Sequence, residues 1–372
     1  MNILQLGKFY PVKGGVEMVM YHIVTGLSES GIRCDMLCAA CDSPADITLG
    51  PNASIFATRT IKKIKATMIS PAMITRLRKI CRHYDIIHIH HPDPMAALAL
   101  RLSGYKGRVV LHWHSDILRQ RQLLRLFKPL QQWLIGRADV IVGTSPVYLS
   151  RSPWLRGVQH KCTCIPIGVD IPPEPDAAKV DKIRASYPGK KIIFSMGRLV
   201  EYKGFEFLIK SAQYLTGDYV VVIGGSGPLR QQLQNTIDTL GLQQTVHLVG
   251  FIDDNDLSAW YRASSLFCLS SVERTEAFGV VQIEAMSLGT PVVATKIEGS
   301  GTAWVNAHGV SGLNVPPRRP KELAGAIMEI TGDPRTLQAY SQRALKRHRE
   351  LFLKQIMTLK ITALYHELLD VK

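Results

Sequence analysis

The chain has 372 residues, a length that suits two domains better than a single core. An apolar fraction of 46% and a charged fraction of 20% are typical of a globular protein and exclude a disordered one. No apolar run reaches the roughly 18 residues of a membrane-spanning helix. The first residues, 1–6, lack the basic region and cleavage site of a signal peptide, so we expect a first strand there.

The seven cysteines are scattered, which favours a reducing compartment over a disulfide framework. Cys34, Cys38 and Cys41 lie close enough together to raise the alternative of a zinc site. No nearby histidine or second cysteine pair completes four ligands, so we interpret them as structural thiols.

The net charge of +15 predicts attraction to an anionic partner. Two stretches, 59–82 and 117–137, are rich in lysine and arginine and contain no acidic residue. The second also carries leucine, phenylalanine and tryptophan, a mixture typical of a basic amphipathic helix on an anionic bilayer. The alternative is a solvated helix that packs on the core by its apolar side. We predict peripheral membrane contact and no nucleic-acid binding, since no recognition motif occurs.

Short apolar strands alternate with helical segments through the first half of the chain, beginning with a strand and a helix at Val16–Ser28. The predicted strands are Asn2–Leu6, Arg33–Ala39, Asp85–His90, Arg108–Trp113, Asp139–Val142 and Thr163–Pro166. This alternation predicts an α/β domain with a parallel sheet covered by helices.

Residues 171–176 interrupt this pattern with three prolines in four positions, which predicts a stiff linker. The alternation then restarts, and the tail Pro334–Leu369 is mostly helical. The predicted strands are Lys191–Met196, Tyr219–Ile223, Thr245–Val249, Leu266–Leu269 and Pro291–Ala294, and the predicted helices are Phe205–Tyr214, Leu229–Leu240, Asp256–Arg262 and Val280–Leu288. We predict two similar domains, 1–170 and 177–350, that face each other across a central cleft.

Several predicted strands end in loops that suit phosphate binding. Gly14 and Gly15 open the first helix and let the backbone approach a phosphate, although a structural turn is the alternative. They lack the spacing of a nicotinamide-dinucleotide motif. Arg198 and Lys203 follow a strand in the second half, where two cations can hold a pyrophosphate and neutralise it as it leaves.

Gly225 and Ser226 follow the next strand and are further candidates for contact with phosphate or ribose. Glu276 and Glu284 are eight residues apart, so a helix through both would bring them to about the same face. Glu276 is alternatively a favourable charge at a helix N-terminus. Glu284 lies in an apolar run and needs a partner, for which a ribose diol is suitable.

Taken in order, these motifs resemble the retaining glycosyltransferases of family 4, which have the GT-B fold. The resemblance rests on Gly14-Gly15, His114-Ser115-Asp116, Gly197-Arg198 with Lys203-Gly204, Gly225-Ser226-Gly227, the element from Glu276 to Glu284, and Gly289-Thr290-Pro291. It implies two Rossmann-like domains, with the acceptor on the N-terminal one and the donor on the C-terminal one. It also implies a final helix, 353–372, that crosses back to the N-terminal domain.

The resemblance also implies roles for single residues. Arg198 and Lys203 would hold the donor diphosphate, and Gly15 would face it. Glu276 would lie by the sugar hydroxyls and His114 near the reacting centre. The remaining donor-binding positions would be Gly14, Gly225, Ser226, Phe251, Ile252, Phe278, Gly279 and Glu284.

A metal and a cofactor are both expected to be unnecessary. Asp254-Asn255-Asp256 spells the metal signature of a different glycosyltransferase fold. Because it precedes residues at helical spacing, helix capping is the preferred interpretation. The nucleotide-sugar is a substrate rather than a cofactor. Gly299-Ser300-Gly301 stands where relatives often carry a glycine turn and a Pro-Glu pair, so the acid of that loop is missing.

Three further histidines end a predicted buried strand. Alternation puts His88 and His90 on one face, where metal binding is an alternative. We interpret His88 as core, and His90 or His91 as a residue that lines the cleft and is a candidate for contact with the acceptor.

The leading hypothesis is a metal-independent, retaining transfer of a hexose from a nucleotide-sugar to a lipid-diphosphate-linked glycan at the cytoplasmic face of the membrane. Likeness to bacterial O-antigen mannosyltransferases favours GDP-mannose as the donor and an α-mannosyl product in lipopolysaccharide synthesis. The alternatives are a UDP-sugar donor with the same chemistry (UDP-GlcNAc, UDP-Glc or UDP-Gal) and, more distantly, a nucleotide-sugar epimerase.

Overall fold

The computed structural model describes residues 1–12, 14–64, 67–118 and 121–370, and within it the side chains of residues 121–124 are not described. Some predicted features lie outside the described residues. These are Lys13 of the first glycine loop, Lys65 and Arg119 of the two basic stretches, the side chains of Arg121, Leu123 and Leu124, and residues 371–372 of the final helix.

The chain divides into two compact units. The first unit is Met1–Gly168 together with the C-terminal segment that begins at Lys354, and the second is Val169–Leu353. The division falls just before the proline-rich residues 171–176.

An eight-stranded sheet forms the core of the first unit. Its strands are β1 (Asn2–Tyr10), β2 (Arg33–Ala40), β3 (Ala45–Gly50), β4 (Ala53–Thr58), β7 (Ile86–His91), β8 (Arg108–Trp113), β9 (Val140–Gly143) and β10 (Cys162–Cys164), while β5 (Lys62–Ile64) and β6 (Thr67–Ile69) form a separate hairpin. The order is β10-β9-β8-β7-β1-β2-β4-β3, and every neighbouring pair is parallel except β3 with β4. The strand order therefore reverses between β1 and β7, where ligands of such sheets bind.

Helices cover this sheet, and proline begins three of them, where its missing N–H costs nothing. They are α1 (Gly15–Glu29), α2 (Pro71–Ile80), α3 (Pro94–Ser103), α4 (Arg121–Arg137) and α5 (Pro146–Arg151), with 3-10 turns at Cys81–His83 and Arg156–Lys161. Side chains cap two of the proline-started helices: Asp93 accepts from Ala96 N–H and Ser145 from Tyr148 N–H.

The second unit contains a six-stranded, fully parallel sheet. Its strands are β11 (Lys191–Met196), β12 (Tyr219–Gly224), β13 (Val246–Gly250), β14 (Leu266–Leu269), β15 (Val292–Thr295) and β16 (Gly312–Val315). Their order is β13-β12-β11-β14-β15-β16, which is the Rossmann order 3-2-1-4-5-6. The reversal lies between β11 and β14.

Helices α7 to α11 connect these parallel strands, while α6 precedes the sheet and α12 and α13 follow it along the chain. They are α6 (Ala177–Ala185), α7 (Phe205–Ser211), α8 (Arg230–Thr239), α9 (Asp254–Ala263), α10 (Val280–Ser287), α11 (Thr302–Val305), α12 (Pro320–Thr331) and α13 (Pro334–Leu351), with 3-10 turns at Glu201–Lys203 and Ala212–Tyr214. The core lies between helices and sheet and includes Ile193, Val221, Leu266 and Ile327, all fully buried.

The final helix, α14 (Lys354–Asp370), belongs to the first unit. Lys354 Nζ lies 3.0 Å from Glu29 Oε1 at the end of α1. Thr358 lies against Gly26, where an added Cβ would be 2.3 Å from Thr358 Oγ1. The expected return of this helix to the N-terminal domain is thus observed. None of the described helices is long and apolar enough to cross a bilayer.

Most predicted elements occur within two residues of their expected ends. β1 continues four residues beyond its predicted end, to Tyr10, and the helix predicted over Phe205–Tyr214 ends as α7 at Ser211 and continues as a 3-10 turn. The strands β3, β4 and β16 and the β5–β6 hairpin were not predicted. The antiparallel edge strand β3 has only half-buried and exposed residues, so it lacks an apolar run that would mark it. All seven cysteines are free, and Cys34 and Cys38 are buried in β2.

Candidate active site

The loops after β11 and β14 carry the predicted site residues Lys203 and Glu276, and they meet where the strand order reverses. Lys203 Nζ lies 2.6 Å from Glu276 Oε2, and both side chains are only 11% exposed. Ser271 Oγ donates a second hydrogen bond of 2.9 Å to the same oxygen. Glu276 is therefore held at one oxygen by a cation and a hydroxyl.

Burial is the largest single influence on the pKa of Lys203 and lowers it, but the charge and hydrogen bond of Glu276, together with Tyr202 and Glu284, outweigh burial, so the net shift is upward. Lys203 is accordingly a charged, paired ammonium group. The sequence predicted this lysine as a cation that holds a diphosphate, and the structure shows it paired with Glu276, another predicted site residue.

Close backbone packing fixes the position of Lys203. Gly204 has φ +64°, and a Cβ there would lie 2.3 Å from Ser270 O, so only glycine fits. Ser270 Oγ donates to Lys203 O at 3.0 Å, and Val272 N–H donates to Tyr202 O at 2.7 Å. The loop after β11 is thus tied to the end of β14, which places Lys203 beside Glu276.

Arg198 is exposed and has no carboxylate partner among the described residues. The loop after β12, which was predicted to contact phosphate, packs on the backbone of the loop after β11: Leu199 N–H donates to Ser226 O at 2.9 Å. A Cβ on Gly225 would lie 2.0 Å from Gly197 O. Loop packing therefore explains why position 225 needs a glycine. Ser226 is exposed.

Glu284 lies on α10 and is half-buried. Its Oε2 accepts a hydrogen bond of 2.9 Å from the Tyr261 hydroxyl, a partner that the sequence analysis missed. Burial raises the pKa of the Glu284 carboxyl, the Tyr261 bond and Lys203 lower it, and Asp254 raises it further. Glu284, Tyr261, Leu257 and Asp254 line a groove of about 290 Å³.

The two glutamates do not share a helical face, and that prediction is wrong. Gly279, with φ +75°, is the N-cap of α10, which begins at Val280. Glu276 therefore lies in the loop before the helix, and Glu284 lies just over one turn inside it. Glu276 contacts Lys203 from the loop between β14 and α10, not from a helix that it shares with Glu284.

The backbone between the two glutamates is also held firmly. Phe278 is 4% exposed, and its ring packs on Phe352 with a centroid distance of 5.9 Å. The N–H groups of Phe278 and Gly279 make no hydrogen bond within the described part of the chain. Ser300 Oγ donates to Glu276 O at 2.5 Å, so the loop that lacks the relatives' acid supports Glu276 from behind.

Phe251 and Ile252 follow β13. Phe251 is 76% exposed, whereas Ile252 is 5% exposed. A Cβ on Gly224 would lie 2.5 Å from Ile252 Cδ1, so Ile252 packs on the end of β12. Of the two residues predicted to border the base, Phe251 alone presents an open surface.

In the first unit, Gly14 is the N-cap of α1 and Gly15 is its first residue. No atom lies within 4 Å of a Cβ built on Gly15, so that surface is open. The Glu17 carboxylate lies over Gly14, 2.4 Å from a Cβ built there, and Glu17 is 6% exposed. This acid is at the helix end where an anion is otherwise favoured.

His114 follows β8 and is 5% exposed. Its Nε2 lies 2.8 Å from His90 Nδ1, and burial is the main cause of a pKa well below the usual range. His88, His90 and His91 are all buried on β7, as predicted for His88, and none of the three lines an open surface.

The Asp254-Asn255-Asp256 segment forms the first turn of α9. The cap is Asp253, which accepts from Asn255 N–H at 3.0 Å, one residue before the predicted position. Asp256 forms an ion pair with Lys179, which leaves it occupied by a cation of the protein itself.

Two family models together match most of the chain. The model described as "Glycosyltransferase Family 4" matches residues 13–171, and the model described as "Glycosyl transferases group 1" matches residues 176–347. A D-rhamnosyltransferase, WbpZ of Pseudomonas aeruginosa, is 31% identical over 95% of this chain and 92% of its own. The chain belongs to the family 4 glycosyltransferases.

A second relative of this family 4 glycosyltransferase is the O-antigen chain mannosyltransferase C of Escherichia coli, 29% identical over the whole of both chains. Among solved structures, sucrose-phosphate synthase from Thermosynechococcus elongatus matches with a TM-score of 0.81 at 21% identity and covers both chains fully. Anabaena HepE, solved with UDP and glucose, matches with a TM-score of 0.78 at 19% identity, over 98% of this chain and 99% of its own. These structures establish the GT-B fold.

Three residues of this glycosyltransferase's second-unit site were missed from the sequence: Tyr261, Ser271 and Ser300. The Tyr261 hydroxyl gives no sequence pattern of its own. Ser271 precedes Glu276 by five residues in the same loop, and a bond between loop side chains at that spacing follows no regular pattern. Ser300 reaches Glu276 from a separate loop, which local spacing does not reveal.

Proposed function

We propose that this glycosyltransferase moves a hexose from a nucleotide-sugar, with GDP-mannose favoured, to a lipid-diphosphate-linked glycan in O-antigen synthesis. The observation that carries the proposal is the buried Lys203–Glu276 pair, whose lysine acts on Glu284 of the groove and which lies in the same unit as the exposed Arg198. Cations and a groove in one unit suit a diphosphate and its nucleoside. The names of the two relatives, a rhamnosyltransferase and an O-antigen mannosyltransferase, support a sugar of the mannose type.

Within this proposal the second unit binds the donor. The Arg198 guanidinium and the free N–H groups of Phe278 and Gly279 would contact the diphosphate, and Lys203 would share its charge between Glu276 and the leaving group. Glu284 would accept from the ribose hydroxyls through its second oxygen. Stabilisation of the leaving diphosphate is then the main contribution to the rate.

A donor panel tests this proposal. GDP-mannose should raise the melting temperature more than UDP-glucose, UDP-galactose or UDP-GlcNAc, because ligand binding stabilises the folded state by mass action. The rate of transfer to an undecaprenyl-diphosphate glycan should fall about 100-fold in Lys203→Met and in Glu276→Gln, because each variant loses a charge that would stabilise the transition state. Lys210→Met, on α7 and over the Phe207 ring at 5.5 Å, is the matched control.

Each result has a consequence. Equal rates in Lys203→Met and Lys210→Met would refute the site assignment. A larger shift with a UDP-sugar would replace GDP-mannose by that donor. Turnover of donor without acceptor would favour the epimerase. The proposal includes retention of configuration, which NMR of the product linkage tests, and metal independence, which is refuted if a chelator abolishes activity and Mg²⁺ restores it.

We further propose that the enzyme is peripheral at the cytoplasmic face of the membrane and that the first unit carries the contact. Leu126 on α4 is 81% exposed beside the exposed Arg125 and Lys128, and Ile61 at the β5–β6 hairpin is 66% exposed beside exposed lysines. Exposed apolar side chains with exposed basic neighbours in the sequence suit contact with an anionic bilayer.

A vesicle assay tests the membrane contact. Leu126→Asp should weaken binding to phosphatidylglycerol vesicles several-fold, since it loses an apolar anchor and adds a like charge to the lipid. Leu359→Asp on α14, where Leu359 is 69% exposed, is the control. Equal loss in the two variants, or binding to neutral vesicles as strong as to anionic ones, would contradict the proposal.

A further inference from the structure

The first strand of the first unit contains one extra residue beside the point where the strand order reverses. β1 pairs with β7 as far as Leu6, and on its other side the pairing with β2 slips between Leu6 and Phe9. Three steps along β1 match only two along β2 there, which defines a β-bulge at Gly7 and Lys8. Such bulges are common next to active sites, where they change the direction of a side chain.

Lys8 has a backbone conformation that a lysine rarely adopts. Its φ is +61°, in the left-handed region that favours glycine. Lys8 N–H donates to Asp93 Oδ2 at 2.5 Å, and a Cβ on Gly7 would lie 3.2 Å from the same oxygen. Asp93 Oδ1 accepts from Ala96 N–H at 3.0 Å, so the N-terminus of α3 holds the bulge. A strained residue that its surroundings hold so firmly indicates a role for its side chain.

The Lys8 ammonium group lies at the carboxyl end of β7. Lys8 Nζ donates to Pro92 O at 2.7 Å, one residue beyond the end of that strand. Burial is the main cause of the low pKa values of His90, His91 and His114, and the positive charge of Lys8 lowers them further. The ammonium group therefore lies near neutral rings, at the edge of the sheet where ligands of such folds bind.

Within the described part of the chain, no carboxylate forms an ion pair with this half-buried lysine. Asp93 uses its two oxygens for the N–H groups of Lys8 and Ala96, and burial raises its pKa more than Lys8 lowers it. Glu17, the acid at the start of α1, makes no ion pair with Lys8 either. A lysine has three N–H donors, of which Pro92 O takes one. Two donors are left for a ligand.

We propose that Lys8 is an anion-binding residue of the first unit and that it binds a phosphate group of a substrate. A phosphate oxygen would accept a charge-assisted hydrogen bond from the ammonium group beside Pro92. The donor and the lipid-linked acceptor both carry a diphosphate, and the choice between these two sources rests on the proposed function. Phosphate binding explains why a lysine is present at a strained position.

A purely structural lysine is the competing explanation, in which Nζ serves only to bond Pro92 O. The bulge does not need that bond, because its contacts with Asp93 come from the backbone of Lys8 and the missing side chain of Gly7. Three variants separate the explanations. Lys8→Arg keeps the cation and Lys8→Met removes it. Lys8→Gly also removes it and accepts φ +61° without strain.

The first experiment titrates inorganic pyrophosphate into the full-length protein by calorimetry, a probe that assumes no particular donor or acceptor. Lys8→Met should weaken one pyrophosphate site about tenfold or more, the loss expected for one charge-assisted hydrogen bond. Lys8→Arg should retain that site. Lys106→Met is the matched control, because Lys106 is exposed and precedes β8, at the opposite edge of the same sheet. It should bind as the natural protein does.

The second experiment identifies the substrate that supplies the phosphate. In the donor arm, GDP and guanosine are titrated into the natural protein and Lys8→Met. A loss of about tenfold for GDP, with guanosine unchanged, assigns the donor diphosphate. In the acceptor arm, KM is measured for one glycan attached to undecaprenyl diphosphate and for the same glycan on a simple alkyl chain. A rise in KM of about tenfold for the diphosphate acceptor alone assigns the acceptor.

Several results would overturn the proposal. These are equal pyrophosphate binding by Lys8→Met and the natural protein, an equal loss in Lys106→Met, or GDP affinity and acceptor KM that both stay unchanged in Lys8→Met. If circular dichroism shows that Lys8→Met is unfolded, Lys8→Gly takes its place in each titration. If pyrophosphate binding depends on Lys8 but no nucleotide-sugar supports transfer, the proposed function fails and the anion site remains.

Discussion

Acidification should unfold the first unit steeply, because five histidines are buried there as neutral rings. Burial lowers the pKa of His91 and His112 to about 3, and is the main reason why the pKa values of His88, His90 and His114 fall well below the usual range. In the unfolded chain a histidine titrates near pH 6.5. Below that pH the unfolded chain binds protons that the folded chain excludes.

The sign and size follow from linkage. Each depressed pKa contributes stability that is present above about pH 6.5 and is lost as the pH falls toward the folded value, at about 1.4 kcal/mol per pH unit. Five rings give about 7 kcal/mol per pH unit by that rule. Asp93 acts in the opposite direction, because burial raises its pKa. Domains are stable by only about 5 to 15 kcal/mol. Acid unfolding should therefore occur near pH 5, on the order of one to two pH units below neutral pH.

The assay is urea unfolding followed by circular dichroism at a series of pH values between about 7 and 5, where the slope gives the number of protons taken up. His91→Phe should lower that slope by one proton and retain stacking on Trp113, from which His91 is 3.8 Å. His83→Gln, at an exposed position, should leave it unchanged. A slope of fewer than two protons would refute the assignment of these rings as neutral.

Four further outcomes concern the second unit. Lys203→Met and Glu276→Gln should each lower the free energy of unfolding by about 3 kcal/mol, since each leaves a buried polar partner uncompensated. The double variant should recover part of that loss. Losses that add up in the double variant, measured by urea unfolding, would contradict this. Glu284→Gln should stabilise the protein near neutral pH, because burial raises the Glu284 pKa and the charged carboxylate therefore costs the folded state more than it costs the unfolded state. The same variant should weaken donor binding about tenfold or more, measured by calorimetry, as expected for a lost charge-assisted hydrogen bond. Tyr261→Phe should raise the Glu284 pKa further, and an unchanged Glu284 titration by NMR would argue against the hydrogen bond.

The sequence predicted the fold well because parallel strands are buried on both faces and read as short apolar runs. β11 and β14, which frame the site, are of this kind and were predicted with their observed bounds. β3 has no such run, and its pairing with β4 depends on the neighbouring strand rather than on its own residues.

The candidate site was predicted at the level of residue type but not of pairing. The strand ends located Arg198 and Lys203, whereas helical spacing wrongly placed Glu276 and Glu284 on one face. Tyr261 reaches Glu284 through a tertiary contact between two helices. Ser271 reaches Glu276 within an irregular loop. Neither contact has a regular spacing in sequence, so sequence reasoning had no signal for them.

The ion pair between Lys203 and Glu276 changes how charge is distributed for a donor diphosphate. A lysine bound to a carboxylate at 2.6 Å presents little net charge, so the two cations predicted from the sequence are not equivalent. Arg198, exposed and without a carboxylate partner among the described residues, supplies the larger attraction for an incoming anion. Under the proposed function, Lys203 would contact the diphosphate only by sharing its bond to Glu276 with the ligand. The hydrogen bond from Ser271 to the same Glu276 oxygen would keep that carboxylate in place as the lysine turned toward the phosphate.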